Sequence, residues 1–475
     1  MTITEGGDWE VVGTCDDGMI YVNTGEEKDA NDKVKLRLNG MSLTNSNGPA
    51  IYFDRCKKAF ITLESGTVNT VSDGTAYSEG YADAKGAIQS DDSLEIKGKG
   101  SLNVNGNYKH GISSSDNIVI ENGTFNITSV KDGIHANDYV VLDGKNINLT
   151  VSAQGDGIES EGYLTVDKAT LNLTGSGKGL NAADYITLTS GTYTIDTTDD
   201  CVNSNAAVTI ADGTYDLTSG DDAVTGLTVD ISGGSITVTK SYEGLEANDI
   251  IINGGTMYVT ASDDGVNAAG GQDQSSQGGR PGQNNFNPGA PGGGASNASI
   301  TVNGGYLFVV ASGDGVDSNG SLSFNGGTTI VQGPSTGGNF AIDVDGTVGF
   351  NGGTVMAVCS SYAMWEDING KLGNAVYTKS AGSVQKNGVI AVTDASGNVL
   401  SAVKSQISGS VGVLYYNSSV SSLTSCKSVV GGTYSGSFDS FGYAEGGSIS
   451  GGTSTALSQT SAGGGGRPGG PGGRF

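Results

Sequence analysis

Proline, histidine and basic residues are scarce in this chain of 475 residues. It has 7 prolines and 2 histidines, and its 24 lysines and arginines stand against 50 aspartates and glutamates, for a net charge of −26. With a pI near 4.2, the chain has no basic face to offer, so we expect it to bind neither nucleic acid nor anionic lipid. No apolar run is long enough to span a bilayer, so we expect no membrane insertion.

Cysteines are also few. The five cysteines are scattered, odd in number and never spaced as CxxC. We interpret them as buried thiols, and nothing in their spacing supports a disulfide. No signal peptide precedes Met1, which a removed leader would explain.

A repeat of about 22 residues runs from Ile112 to Ile342. Each unit has an acidic residue, a glycine and an aliphatic residue, followed by an alternating strand that ends in threonine. The repeated phrase reads DGIHA at Asp132, DGIES at Asp156, KGLNA at Lys178, DCVNS at Asp200, DAVTG at Asp222, EGLEA at Glu243, DGVNA at Asp264 and DGVDS at Asp314. A fixed period of this size indicates coils that are stable only when stacked on their neighbours.

Within each unit the apolar residues alternate, as in Val140 and Leu142, which predicts short strands joined by tight bends such as Asn122-Gly123. Most of the 80 glycines are expected at bends that need positive φ. Three strands per unit predict an all-β fold, a single-stranded parallel β-helix in which one polypeptide winds into a solenoid. Leucine-rich repeats would show repeated Leu and an Asn ladder, neither of which we find, and propeller blades would need about twice the length.

The repeat also predicts the organisation of the chain. Residues 1–107 form irregular opening coils, and residues 108–382 form the regular β-helix, interrupted by a disordered Gly/Pro/Gln-rich loop at 270–298. Residues 383–435 form a C-terminal strand cap that protects the last coil from edge pairing, and 436–475 form a Gly-rich flexible tail.

Stacking places equivalent residues about 4.8 Å apart, so the repeat alignment predicts columns of side chains. The first column precedes the repeat glycine and contains His110, Asp132, Asp156, Lys178, Asp200, Asp222, Glu243, Asp264 and Asp314. The second column, three residues later, contains Ser113, His135, Glu159, Asn181, Asn203, Thr225, Glu246, Asn267 and Asp317.

Carboxylates at this spacing repel each other by about 3–4 kcal/mol at an effective dielectric near 20, so a cation is expected between them. Calcium is favoured because it takes six to eight oxygen ligands in a tolerant geometry, whereas zinc would want nitrogen or sulfur. The predicted ligands form three clusters: Asp132, Asp156 and Glu159; Asp200, Asp222, Glu243 and Glu246; Asp264, Asp314 and Asp317. Solvated bend residues are the alternative, and His110 and His135 are expected to be solvent-facing hydrogen-bonders.

Tyr139, Tyr163 and Tyr185 occupy the same outward position in three consecutive coils. Stacked aromatics on a polar face suit the apolar face of a pyranose ring, so these residues are candidates for glycan binding. A purely structural ladder, in which like stacks on like, is the alternative.

Three stretches carry a resemblance to a known family: VKLRLNGMSLTNSNGPAIYF at Val34, ITLESGTVNTVSDG at Ile61, and AIQSDDSLEIKGKGSLNVNGNYKHGISSSDNIVIENGTFNI at Ala87. With the coils that follow, they resemble secreted bacterial carbohydrate-binding proteins built as right-handed parallel β-helices, similar in shape to pectate lyases. The resemblance implies binding of cellulose and pectic polymers at the cell surface, with calcium held by acidic residues of the helix.

Three functions therefore compete. The first is noncatalytic, calcium-dependent binding of plant cell-wall polysaccharide, which is polygalacturonate or pectin, cellulose, or both, by a secreted or cell-surface monomer. The second is a calcium-dependent polysaccharide lyase in which Lys178 or Lys131 removes the C5 proton of a uronate. The third is a structural adhesin or stalk whose columns serve stability alone.

Overall fold

The computed structural model describes residues 1–25, 32–269, 297–363 and 373–459. It is a parallel β-solenoid of about 13 turns with a spacing of roughly 24 residues, which confirms the predicted all-β architecture. The described helical elements are the 3-10 turns Glu79–Tyr81 and Leu423–Ser425. No helix in these ranges has the length and hydropathy needed to cross a membrane. The loop predicted at 270–298 lies outside the described residues except for its last two positions.

Each coil contributes one strand to each of three parallel stacks. The first stack carries the repeated phrase. Its strands are Thr2–Ile3, Ile20–Asn23, Ile51–Arg55, Gly86–Ser90, His110–Ser114, Ile134–Ala136, Ile158–Ser160, Leu180–Ala182, Val202–Ser204, Val224–Ile231, Leu245–Ile252, Val266–Ala268, Val316–Ser318 and Ile342–Val344. Two of these, Val224–Ile231 and Leu245–Ile252, continue into the second stack.

The second stack follows the first across a short bend. Its separate strands are Lys58–Leu63, Leu94–Gly98, Ile118–Ile120, Tyr139–Asp143, Ala207–Ile210, Ser299–Val302, Ser321–Phe324 and Val348–Phe350. Four longer strands run through the second and third stacks: Gly7–Cys15, Lys33–Thr44, Tyr163–Gly175 and Tyr185–Thr197.

The third stack closes each coil. Its separate strands are Val68–Ser72, Ser101–Gly106, Gly123–Ser129, Ile147–Ala153, Thr214–Thr218, Ser235–Lys240, Thr256–Ala261, Tyr306–Ala311, Thr328–Gln332 and Thr354–Ser360.

The core is a continuous inner column of aliphatic side chains. Ile134, Ile158 and Leu180 are paired in register in successive coils and are completely buried. Burial of each such side chain stabilises the fold by about 1.5–3 kcal/mol. An isolated coil would leave these side chains exposed to water above and below, so it would lose this stabilisation. The stack is therefore held together by contacts between coils, as the period predicts.

The repeat glycine is required by close packing between coils. A Cβ at Gly133 would lie 2.3 Å from Val151 Cγ1 and 2.6 Å from the carbonyl oxygen of Gly157, and Gly133 does not have a positive φ. The expectation that positive φ explains most glycines is therefore wrong for this position. It holds at other bends, such as Gly255 with φ +86°.

An asparagine ladder runs through the bends between the second and third stacks. Asn303 Nδ2 donates to Asn253 Oδ1 at 2.8 Å, Asn325 Nδ2 to Asn303 Oδ1 at 2.9 Å, and Asn351 Nδ2 to Asn325 Oδ1 at 2.8 Å. The expectation of no such ladder was wrong, and its signal was the repeated Asn-Gly-Gly of these four bends.

The last coil is covered by antiparallel strands. Gly409–Asn417 pairs with Thr354–Ser360 of the third stack and with Val376–Val384. A five-stranded sheet follows in the order Tyr443–Glu445, Val399–Lys404, Val389–Thr393, Lys427–Val430 and Thr453–Ala456, and Thr433–Ser435 pairs with Ser448–Ser450. The prediction of a flexible tail from residue 436 was therefore wrong up to residue 459, because these strands complete the cap. Residues 460–475 lie outside the described residues.

All five cysteines lie in described positions and form no disulfide with one another. Four are buried, as expected, but Cys15 is exposed.

Candidate functional site

The strand register of the first stack aligns the second column of the repeat. Its residues pair in the order Ser113, His135, Glu159, Asn181, Asn203, Thr225, Glu246, Asn267 and Asp317, with Asp343 one coil further on. The aspartates of the first column use one carboxylate oxygen to bind the backbone of the next coil. Asp132 Oδ1 accepts from the N–H of Asp156 at 3.0 Å, and Asp222 Oδ1 accepts from the N–H of Glu243 at 3.0 Å. The other oxygen of each is left for a second partner.

The first predicted cluster is assembled, with basic residues around it. Asp132, Asp156 and Glu159 bring carboxylate oxygens within 4.8 Å of one another. Lys131 Nζ lies 3.3 Å from Asp132 Oδ2 and 3.9 Å from Glu159 Oε2. Burial raises the pKa of Asp156 to about 6, even though Asn181 Nδ2 donates to its Oδ2 at 2.8 Å.

His110 and His135 belong to this cluster and are buried, which corrects the expectation that they face solvent. Their rings stack with centroids 4.5 Å apart, and their exposed fractions are 1% and 4%. Burial lowers the pKa of His110. For His135, hydrogen bonds with Asp132 and Glu159 outweigh the opposing effect of burial and raise the pKa to about 9. Burial opposes ionisation of Asp132, but its contacts with His110 and then His135 outweigh burial and lower its pKa. The first cluster is therefore compensated by charges of the chain itself.

Lys178 compensates the next coils. Its Nζ pairs with Asp200 Oδ2 and lies 3.1 Å from Asp199 Oδ1, and its side chain is only 11% exposed. The sequence grouped Asp200 with Asp222, Glu243 and Glu246, but the structure gives one oxygen of Asp200 to this lysine. A lysine engaged by two carboxylates is not positioned to reach a substrate proton, so the structure does not favour Lys178 as the base of a lyase.

In the second cluster, Asp222 and Glu243 are surrounded mainly by other carboxylates. Asp222, Glu243 and Glu246 bring oxygens within 4.8 Å of one another. Burial, and then the charge of neighbouring carboxylates, raises the pKa values of Asp222 and Glu243 well above their usual range. The flanking Thr225 and Asn267 were not predicted as ligands. Thr225 Oγ1 and Asn267 Oδ1 are buried without a hydrogen-bond partner, and their position in the second column was the available signal.

The third cluster is also built from carboxylates alone. Asp264, Asp314 and Asp317 bring oxygens within 4.8 Å of one another, as the sequence predicts. Burial is the main cause that raises their pKa values, to about 7, about 8 and about 9, respectively. Asp264 Oδ1 accepts from the N–H of Asp314 at 2.5 Å, which ties the two coils together. Deprotonating these three acids together is therefore unfavourable at neutral pH, and a nearby cation would favour it.

The three predicted tyrosines form a stacked ladder on the second stack. The rings of Tyr139 and Tyr163 lie 4.7 Å apart with an interplanar angle of 9°, and those of Tyr163 and Tyr185 lie 4.9 Å apart with an angle of 2°. Most ring faces are therefore covered by neighbouring rings. A sugar cannot stack on the ladder as a continuous platform, but it can stack on an uncovered terminal ring.

Tyr185 is the terminal ring at the end of the ladder that faces the later coils. It is 42% exposed, and the residue that takes its place in the next coil is Ala207, whose side chain is too small to cover the ring. In the coil after that, Thr228 occupies the same place, and its neighbour Leu227 is 45% exposed. The ladder thus ends in a slot one coil high, about 4.8 Å per step, which we call the tyrosine slot and define by Tyr185, Ala207, Leu227 and Thr228.

Comparison with known proteins identifies the family to which this chain belongs. The sequence profile of the carbohydrate-binding domain-containing proteins matches residues 1–265 and, in a second match, residues 228–338. A carbohydrate-binding domain-containing protein of Acetivibrio thermocellus is 35% identical over 128 residues, which cover 26% of this chain and 43% of that protein. The match thus spans less than half of that relative's length. A polysaccharide lyase-like protein from C. thermocellum, solved as a gadolinium derivative, has 27% identity and a TM-score of 0.39, covering 48% of this chain and 86% of that one. Because the profile covers well over half of the sequence, this chain belongs to the family of carbohydrate-binding domain-containing proteins.

Proposed function

We propose that this protein is a noncatalytic, calcium-dependent polysaccharide-binding protein that acts at or outside the cell surface. Its ligands are uronate-rich polymers of the plant cell wall, such as polygalacturonate, and neutral glucans such as cellulose. The observation that carries the proposal is the contrast along the acidic column. Lysine and histidine compensate its first half, whereas the second and third clusters contain only oxygen donors.

Calcium suits these two clusters by donor type and number. Asp222, Glu243 and Glu246 supply carboxylates, and Thr225 Oγ1 adds a buried oxygen that has no hydrogen-bond partner. Asn267 Nδ2 donates to Glu243 Oε2 at 2.8 Å, so the amide of Asn267 would have to turn over to offer Oδ1 to an ion. Calcium takes six to eight oxygens at 2.3–2.6 Å in a flexible geometry, so these oxygens supply much of a shell that water and a bound ligand can complete. Bound calcium would keep the carboxylates ionised and remove their mutual repulsion.

Calcium also explains how an acidic protein can bind an acidic polymer. The chain carries a net charge of −26, so direct association with polygalacturonate is opposed by repulsion. An ion held by Asp264, Asp314 and Asp317 at the edge of the column can share its remaining ligand positions with a uronate carboxylate. Affinity for polygalacturonate therefore depends on calcium.

Neutral glucans need a different contact, which the tyrosine slot supplies. A pyranose ring at the level of Ala207 would continue the ladder by stacking on the uncovered face of Tyr185. Thr228 bounds the far side of the slot, one coil further on. Contact with this slot does not require a metal, so glucan binding persists when calcium is removed, provided the fold is intact.

The lyase alternative receives less support. Of its two candidate bases, Lys178 is buried and paired with Asp199 and Asp200. Lys131 is 52% exposed and lies 3.3 Å from Asp132 Oδ2. The basic groups near Lys131 are His110 and His135, and both face Asp132 and Glu159 rather than a position where they would hold a substrate carboxylate.

Sedimentation with insoluble polysaccharide tests the proposal. Wild-type protein should be retained on calcium-crosslinked polygalacturonate gel in millimolar calcium and released by EDTA, without growth of unsaturated-uronide absorbance. Asp317→Asn, in the third cluster, should weaken retention at a given calcium concentration. Asp143→Asn makes the same charge change at an exposed strand end away from the column and should not. Retention that is indifferent to EDTA and to Asp317→Asn contradicts the proposal, and unsaturated product would favour the lyase.

A further inference from the structure

The first cluster differs chemically from the other two because it contains nitrogen donors. The sequence disfavoured zinc because the column was expected to lack nitrogen and sulfur ligands, and for nitrogen this expectation was wrong. His110 and Asp132 occupy adjacent positions in the first column, and His135 and Glu159 occupy adjacent positions in the second. We propose that His110, Asp132, His135 and Glu159 form a binding site for a zinc-class transition metal ion, distinct from the calcium clusters and independent of polysaccharide binding.

His110, Asp132 and His135 bring their ligand atoms within 4.8 Å of one another, and Glu159 lies against His135. His110 Nδ1 lies 2.9 Å from Asp132 Oδ2, which lies 3.6 Å from His135 Nδ1, which in turn lies 2.8 Å from Glu159 Oε2. Around a tetrahedral zinc ion with bonds of about 2.0–2.2 Å, neighbouring ligand atoms are separated by roughly 3.3 Å. The observed separations bracket that value.

The hydrogen bonding at the centre of the cluster points to a missing partner. His110 Nδ1 and Asp132 Oδ2 are both buried and, although close together, neither has a hydrogen bond of normal geometry. Buried polar atoms are nearly always satisfied, so two such atoms side by side call for an explanation. A metal ion bound to both would satisfy them at once.

The surrounding contacts orient the ligands as a metal site requires. Asp132 Oδ1 accepts from the backbone N–H of Asp156 at 3.0 Å, which fixes the carboxylate and leaves Oδ2 available. His135 Nε2 lies 3.3 Å from Asn137 Oδ1 and 3.7 Å from Glu161 Oε1. His135 Nδ1 donates to Glu159 Oε2 at 2.8 Å, so metal binding displaces this proton, while donation from Nε2 to Asn137 keeps the ring oriented, as the outer partners of metal-bound histidines do.

The donor set determines the class of metal. Two imidazole nitrogens with two carboxylates suit zinc, cobalt or nickel, whereas calcium prefers oxygen alone. Lys131 is the competing cation, with Nζ 3.3 Å from Asp132 Oδ2, but its side chain is 52% exposed and can turn toward solvent. The same carboxylates then remain to balance the charge of the ion.

Cobalt absorption spectroscopy on the whole chain tests the site. The sequence has only two histidines, so histidine-ligated metal in protein purified without a histidine tag must use His110 or His135. We expect one cobalt ion per chain, with the intense visible bands of four-coordinate geometry, displaced by zinc but not by millimolar calcium. His135→Gln should abolish these bands, and Asn137→Ala, at a positioning residue, should weaken zinc binding by about 10–100-fold.

Asp317→Asn provides the matched control, because it alters the third cluster and should leave the cobalt spectrum unchanged. Weak octahedral cobalt spectra in the wild type, or bands that survive His135→Gln in protein of unchanged melting temperature, overturn the proposal. In that case the His135 imidazolium is itself the cation of the first cluster. Neither result depends on polysaccharide binding, so failure of this site and failure of the proposed function can be told apart.

Discussion

At the residue scale, the glycine of the repeated phrase shows how tightly the coils are stacked. At Gly179 a Cβ would meet Ile195 Cγ2 at 2.4 Å and the carbonyl oxygen of Cys201 at 2.5 Å. Two other coils carry Cys201 and Ala223 at the equivalent position, and both are completely buried. The position therefore accepts a small side chain in some coils, whereas at Gly179 a Cβ would clash with both a side chain and a backbone carbonyl.

Substitution of this glycine should destabilise the stack. We expect Gly179→Ala to lower the free energy of unfolding by about 1–3 kcal/mol, because overpacking forces the neighbouring coil to shift. Gly80→Ala is the matched control, since a Cβ there meets nothing within 4 Å. Chemical denaturation of both variants measures the difference, and equal stability of the two would show that the coils are less closely packed.

The tyrosine slot gives a second prediction at this scale. Tyr185→Ala should weaken binding of soluble cello-oligosaccharides by roughly three- to tenfold, the loss expected when one ring-stacking contact disappears. Ala207→Tyr should weaken it as well, because the new ring would continue the ladder and occupy the slot. Tyr139→Ala removes a ring at the opposite end of the ladder and serves as the control. Affinity electrophoresis would measure all three, and loss of affinity only in Tyr139→Ala would place the site elsewhere.

At the scale of elements, the acidic column combines two ways of tolerating stacked carboxylates. In the coils around His135 and Lys178, the chain supplies its own cations. In the coils from Asp222 to Asp317, the acids stay close together with raised pKa values. The two halves should therefore respond differently to changes in metal and pH.

Removal of Lys178 should make the carboxylates around it depend on bound calcium, as we expect for the coils from Asp222 to Asp317. Lys178→Met leaves Asp200 buried without its ammonium partner, which should cost about 3–5 kcal/mol in EDTA. Calcium should restore part of this stability, because Asp199, Asp200 and Asp221 already bring oxygens within 4.8 Å of one another. Lys168→Met, at an exposed pair with Asp167, should have little effect. Thermal unfolding with and without calcium would measure this, and a loss that calcium leaves unchanged would contradict the prediction.

The third cluster predicts an unusual pH dependence in metal-free protein. The pKa values of Asp264, Asp314 and Asp317 are raised in the folded state, so that state binds more protons than the unfolded chain. The resulting contribution to stability is fully present below about pH 4 and is lost as the pH rises through 7 to 9. Denaturation in EDTA should show this decline, and Asp317→Asn should flatten it. A decline of equal slope in that variant would exclude this cluster as the cause.

The sequence was informative about elements because the repeat aligns equivalent residues directly. Its period was enough to place Asp264, Asp314 and Asp317 in one cluster and Tyr139, Tyr163 and Tyr185 in one ladder. Periodicity does not report how deeply a bend is buried, which is why the buried histidine pair was missed. It also does not report where a long side chain ends, which is why the pairing of Lys178 with Asp200 was missed. The cap lies beyond the repeat, so periodicity gives no signal that would distinguish its last strands from a flexible tail.

At the scale of the whole molecule, the solenoid places the two proposed binding surfaces on one continuous stack of coils. The acidic column follows the first strand stack, and the tyrosine slot lies at the start of the second. Calcium-dependent contact with uronates and metal-independent contact with neutral glucans could therefore be made by one polymer-bound molecule. Family membership supports carbohydrate as the partner, and the clusters define what kind of carbohydrate we expect.

Calorimetric titration of calcium at pH 7, repeated in buffers of different ionisation enthalpy, tests the central claim most directly. The account predicts two ions per chain at the second and third clusters, with protons released on binding because Asp314 and Asp317 are protonated in the metal-free protein. Asp317→Asn should remove one ion and part of the proton release. Two results would contradict this prediction. One is the absence of calcium binding in the millimolar range, and the other is calcium binding that releases no protons and that Asp317→Asn leaves unchanged.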